Sequence, residues 1–126
     1  MPAVELAAFS IVGCAAFAVH FFVVSAIVPL GVPPLAANVL GFAVAFGVSF
    51  VGHDRWSFPA SARSRSLAAR RFFVVAVIGF LANQTLYFAL LELTSLPYRL
   101  ALLVVLTAVA GLTLVLSKLW AFADAP

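Results

Sequence analysis

Charge is what this sequence has least of. Only 9% of its 126 residues are charged, against 66% hydrophobic, whereas a soluble domain carries about a quarter charged residues to cover its outside. With a mean hydropathy of +1.23, the chain cannot present a wetted surface, and lipid must surround it. Cysteine is almost as scarce: Cys14 stands alone, which excludes an intramolecular disulfide. No Cys/His spacing suits zinc, and His20 and His53 fall on different apolar runs, so no metal and no cofactor are expected. The two glutamates, Glu5 and Glu92, sit at the ends of apolar runs. No nucleophile–base pair stands out, so no catalytic residue is assigned and an enzyme is not expected.

The N-terminus, MPAVELAAF, lacks a basic n-region, so the first apolar run is expected to stay in the protein rather than be cleaved. The formal charge is +3. Its bases lie beside apolar runs, where anionic lipid is a nearer partner than nucleic acid.

What the chain does have is four apolar stretches of spanning length, which takes about 20 residues in a helix. They are roughly Ala7–Val28, Leu35–Gly52, Phe72–Leu93 and Leu100–Ala121. A helix satisfies its own backbone in lipid, and no ten-residue alternation points to a barrel. The links PLGVPP and TSLPYR are short and proline-bearing, and so predict tight hairpins. The expected fold is all-α: one polytopic membrane domain over residues 1–126, made of two helical hairpins.

The middle connection, about 53–71, holds Arg55, Arg63, Arg65, Arg70 and Arg71, five of the seven bases. By the positive-inside rule it is cytoplasmic, and with four spans so are both termini. Arg99 on the opposite side is the one dissenter. Part of this connection, Pro59 to Arg71, reads either as a short surface helix or as a flexible loop.

The two hairpins also resemble each other. Trp56 and Trp120, Pro33 and Pro97, Phe58 and Phe122, and Ala37 and Ala101 share one offset in the sequence. The same offset pairs His20 with Gln84 and Ser49 with Thr113. The chain is therefore read as tandem parallel repeats, about 9–58 and 73–122, related by an axis along the membrane normal.

Polar residues inside spans carry a cost and need a reason. Ser49, His53 and Trp56 fall at i, i+4 and i+7, one helical face, and Thr113, Ser117 and Trp120 repeat it. The tryptophans can be an aromatic belt; alternatively, both faces meet a lipid headgroup, with Arg55 and Lys118 for its phosphate. His20 and Gln84, with Asn83 beside the latter, either bond across helices as glue or line a path for a hydroxylated group. Asn38 is the far end of such a path or a helix-end contact. Ala37, Gly41, Ala45 and Ser49 place a small residue at every fourth position, which lets a helix approach closely, from this chain or a second copy.

Two hairpins with proline turns, each closing in a W-x-F tail (WSF at Trp56–Phe58, WAF at Trp120–Phe122), resemble the GtrA-like family. GCAAFAVHFFV around His20 and SFVGHDRWSF around His53 are similar to its first two helices, and the resemblance runs from about Phe9 to Phe122. It implies a small bacterial inner-membrane protein of cell-surface polysaccharide synthesis. Such a protein moves a polyprenyl-phosphate-linked sugar to the outer leaflet, where a glycosyltransferase uses it. Carried over residue by residue, the resemblance singles out His20, Ser49, His53, Arg55, Trp56, Ser117, Lys118 and Trp120, with Arg70 and Arg71 as further phosphate partners.

The sequence also departs from the family: many members have asparagine at the positions of Ser49 and His53, and a second base where Asp54 stands. Four short helices hardly enclose a sugar, so a homo-oligomer, most simply a dimer, is expected. The competing function is a membrane anchor for a glycosyltransferase. A proton-coupled exporter ranks last, because no carboxylate lies in mid-span.

Overall fold

The computed structural model describes residues 3–57 and 62–121. Four helices account for nearly all of them: α1 (Ala3–Ile27), α2 (Pro34–Gly52), α3 (Ala62–Leu93) and α4 (Tyr98–Leu116). Among the described residues there is no strand. All four helices are long and apolar enough to cross a membrane. Large apolar side chains such as Ile11 and Phe22 are about 70% exposed, at 70% and 71%, an arrangement that water would penalise and hydrocarbon does not. The chain is a multi-pass membrane protein.

The hairpin turns follow from their prolines. After α1 a single 3₁₀ turn (Val28–Leu30) ends at Gly31, whose φ of +103° only glycine adopts freely and whose N–H closes on Val28 O at 3.0 Å. Pro33 then caps α2 with φ −58° and ψ 145°. Pro97 caps α4 with φ −56° and ψ 147°. In both cases the proline carbonyl accepts the first helical N–H, from Ala37 at 2.9 Å and from Ala101 at 3.0 Å. Arg99, the base on the side opposite the arginine-rich connection, bonds Ser25 O at 3.4 Å. It places a cation on the carbonyls that end α1, where the helix dipole favours one.

The opposite ends of the hairpins depart from regular helix. α2 continues into a π turn over His53–Ser57, and α4 into another over Ser117–Ala121. α3 begins at Ala62, ten residues before the expected start at Phe72. Its 32 residues make a rod of about 48 Å, longer than the roughly 30 Å of hydrocarbon. Arg63, Arg65, Arg70 and Arg71 therefore belong to the first turns of a spanning helix. They lie neither in a loop nor in a separate surface helix. Phe58, Pro59 and Phe122, which complete the W-x-F tails and begin the connection, lie outside the described residues.

The bundle is a ring in which α1 packs mainly on α2 and α3 mainly on α4, with lesser α1–α4 and α2–α3 contacts. Two apolar clusters close it. At the arginine end Phe9, Ala68, Phe72, Val75 and Ala121 meet. At the hairpin end Val24, Ala37, Tyr87, Leu102 and Val105 meet, with Phe17 and Val109 against them. The small-residue stripe of α2 is used within the chain: Ala37, Gly41 and Ala45 are buried. A methyl at Gly41 would stand 2.8 Å from His20 Cδ2 and 3.2 Å from His20 O.

Candidate functional site

Between the two clusters lies a cavity of about 590 Å³ lined by all four helices, within the roughly 300–1,000 Å³ of small-ligand sites. Its walls are mainly apolar, with Phe17, Phe42, Phe46 and Val109 among them. The polar lining groups sit at its two ends. Ser49, His53, Thr113 and Ser117 lie toward the arginine end, and His20 and Asn83 toward the hairpin end.

Of the arginine-end group, His53 and Ser117 open the two π turns, and Ser49 and Thr113 precede them on α2 and α4. His53 is 1% exposed. Its ring stacks on Phe9 at 4.5 Å and 17° and meets the edge of Phe72 at 4.9 Å and 73°. Ser117 is equally buried, and its Oγ has no hydrogen-bond partner. That contrasts with Ser10, Thr107 and Thr113, whose hydroxyls each bond a carbonyl of their own helix. The wider turn also corrects the expected helix faces. Trp56 and Trp120 do not line the cavity with Ser49, His53, Thr113 and Ser117. Trp56, 65% exposed, flanks a separate outer groove between α1 and α2 with Val12 and Val48. Trp120 lies under Arg71, whose guanidinium carbon is 5.3 Å from the ring and whose Nη1 bonds Trp120 O at 3.0 Å.

At the hairpin end the polar residues bond each other. Asn38 Nδ2 donates to Asn83 Oδ1 at 2.7 Å and to Gln84 Oε1 at 2.8 Å. Asn38 Oδ1 is left to accept from His20 at 2.7 Å, which puts the imidazole proton on Nε2. Gln84 Nε2 reaches Leu35 O at 3.2 Å. One buried asparagine thus ties α1, α2 and α3 together. Asn38 and Gln84 stand behind the cavity wall rather than along it, whereas His20 and Asn83 touch both the network and the cavity. The sequence offset pairs Asn38 with Leu102, which is also wholly buried, so the hub has an apolar counterpart in the second hairpin.

The charged candidates divide. Arg55, Arg70 and Lys118 are exposed at the arginine end. Arg71 is committed to the end of α4. Asp54, which the sequence left without a role, pairs with Arg65 at 2.7 Å, and the same Nη2 also bonds the Asp54 carbonyl. That pair joins the exit of α2 to the entry of α3. No sequence pattern announced it, because the two residues lie within one connection in the sequence but on separate helical elements in the structure, Asp54 in the π turn and Arg65 in α3. Also absent from the sequence-derived candidates are Phe9, whose ring stacks on His53, and Ser10 and Cys14, which line the cavity from α1.

Four apolar helices around a shared, sparsely polar cavity define a multi-pass membrane protein with an internal cavity between its spanning helices. Its sequence matches the family model for the GtrA/DPMS transmembrane domain over residues 8–122. The chain belongs to that family, and so to proteins associated with polyprenyl-linked sugar handling. No curated protein and no solved structure matches it.

Proposed function

We propose that the protein moves a polyprenyl-phosphate-linked monosaccharide from the cytoplasmic to the outer leaflet of the bacterial inner membrane, for use in surface polysaccharide or glycolipid modification. The observation that carries this reading is the cavity. It is shared by all four helices and has hydrogen-bonding groups near both ends. A sugar headgroup has about four hydroxyls, each costing roughly 2–7 kcal/mol when buried unpaired, so a carrier works by supplying partners inside the bilayer. It needs no covalent step, and no residue is given a catalytic role.

In this reading the arginine end faces the cytoplasm, with both termini on the same side. Arg55, Arg70 and Lys118 attract the phosphate, and Ser49, His53, Thr113 and Ser117 receive the head. A second copy, making a homodimer, would widen the chamber for a whole sugar. The tandem relation of the hairpins, supported by the matching caps and π turns, then supplies two related exits.

A second reading has one observation in its favour. His20, Asn38, Asn83 and Gln84 spend their bonds on one another, as a structural anchor for a partner glycosyltransferase would require. Flipping of a labelled polyprenyl-phospho-sugar in proteoliposomes containing only this protein separates the two. Acceleration that drops in Ser49→Ala and His53→Ala supports the carrier. No acceleration by folded protein leaves the anchor.

A further inference from the structure

The cavity is not closed evenly around its circumference. On α2 and α3 its lining residues are buried or half-buried, Ala45, Val75, Gly79 and Asn83 among them. The exposed lining residues are Ser10 and Cys14 on α1 and Ala110 and Leu114 on α4. Those two helices join at the arginine end through Phe9 and Ala121, and at the hairpin end through the cluster shared by Phe17 and Val109. Between these seals the facing residues are small except for Leu114: Ser10, Gly13 and Cys14 on α1, and Ala110 and Thr113 on α4.

Glycine there does not serve close packing. A methyl built on Gly13, which lines the cavity, meets nothing within 4 Å, whereas one on Gly41, Gly52 or Gly79 meets a neighbour within 3 Å, at 2.8, 2.7 and 2.9 Å. Gly13, on the stretch of α1 that lines the cavity, borders open space. The facing stretches of α1 and α4 lie inside the spanning segments Leu6–Leu30 and Tyr98–Ala121, so the opening faces hydrocarbon, and what enters it comes from the bilayer.

The second observation is Ser117. Among the described residues two buried side-chain oxygens lack a partner, those of Ser25 and Ser117, and of these Ser117 lines the cavity. A buried hydroxyl left unbonded is costly, and a ligand's polar head would satisfy it. Lys118, exposed beside it, adds a cation for an anionic head.

We infer that the gap between α1 and α4 is a lateral portal. Through it a phosphate-headed lipid brings its head to Ser117 while its chain remains among the apolar walls and the bilayer. This rests on reading the chain as a lipid-handling protein, but it does not require transport.

The protein carries its own test, because its single cysteine is at the portal. The full chain in proteoliposomes is photolabelled with a diazirine-bearing polyprenyl phosphate that has no sugar. A parallel arm uses a diazirine-bearing phosphatidylglycerol, so that an isoprenoid source is told from bulk phospholipid. Adducts are mapped by mass spectrometry. The portal predicts labelling of residues 10–14 and 110–114. A bulky maleimide on Cys14 should reduce it at least fivefold, and the same maleimide should leave the labelling of a Cys14→Ser protein at that protein's own untreated level. Gly13→Leu, which fills open space, should reduce it similarly. Ser117→Ala should weaken retention of the lipid about three- to tenfold, the worth of one hydrogen bond.

Labelling spread equally over outward residues such as Val4 and Phe22, insensitive to the maleimide, would overturn the portal. So would a Ser117→Ala protein that holds the probe as well as its parent. Portal labelling as described without sugar flipping would sink the transport reading alone. Flipping that ignores a modified Cys14 would sink the portal alone.

Discussion

His20 and Asn38 meet at 2.7 Å across the α1–α2 interface, and they can do so because Gly41, on the same face of α2 as Asn38, has no side chain. In lipid, apolar burial does not drive helices together, so packing and interhelical hydrogen bonds must. The contact joins both: a close approach and a buried polar bond at one place.

Asn38→Ala should therefore be among the most damaging single changes outside the cavity. It removes three hydrogen bonds at once and leaves His20, Asn83 and Gln84 to find new partners. The expected loss is about 1–3 kcal/mol, read as a lowered unfolding midpoint in detergent. Asn83→Ala, which removes one bond to the hub, should cost less. Equal effects would mean that Asn38 is no hub.

Gly41 and Gly47 make a matched pair on one helix. Gly41→Ala drives a methyl into the His20 ring and backbone, an overpacking of about 1–3 kcal/mol. Gly47→Ala meets nothing within 4 Å and gains up to about 1 kcal/mol of helix propensity. Thermal melts of the two proteins should move in opposite directions.

Ser117→Ala should leave the protein as stable as before or raise its stability by up to about 1 kcal/mol, because it deletes a buried hydroxyl with no bond to lose. Combined with weaker lipid retention, that outcome marks a residue kept for a ligand at some expense in stability. A clear drop in melting temperature would return Ser117 to a packing role.

The Asp54–Arg65 pair is partly exposed, at 36% and 46% for Arg65 and Asp54. Its coupling in a double-mutant cycle with Asp54→Asn and Arg65→Gln should be about 0.2–1 kcal/mol and should shrink with added salt. A much larger, salt-independent coupling would show the pair to be shielded from solvent.

Hydropathy alone made the four spans legible, since whether a helix can cross lipid depends on its own composition. The prolines at 33 and 97 placed the hairpin turns for a similarly local reason: a fixed φ and a missing N–H act on the nearest neighbours. His20, Asn83 and Gln84 were marked by being polar in apolar runs, but their partner was not. Asn38 was read only as the end of a path or of a helix, because nothing along the chain says that α1 and α3 converge on it. The shared face expected for His53 and Trp56 failed for a related reason. A regular 3.6-residue period was carried through a segment that opens into a π turn, and the wider turn put the indole outside.

The sequence by itself determined that this is an all-helical membrane chain of two proline-turned hairpins with its bases, Arg99 excepted, gathered at one end. Those properties are sums over single residues and near neighbours. Only the tertiary structure decided which polar groups are spent on packing and which face a cavity, that Asp54 answers Arg65, and that the bundle is open between α1 and α4. Each of these depends on how separate helical elements come together; for the first and last, a glycine permits contact, as at Gly41, or borders open space, as at Gly13.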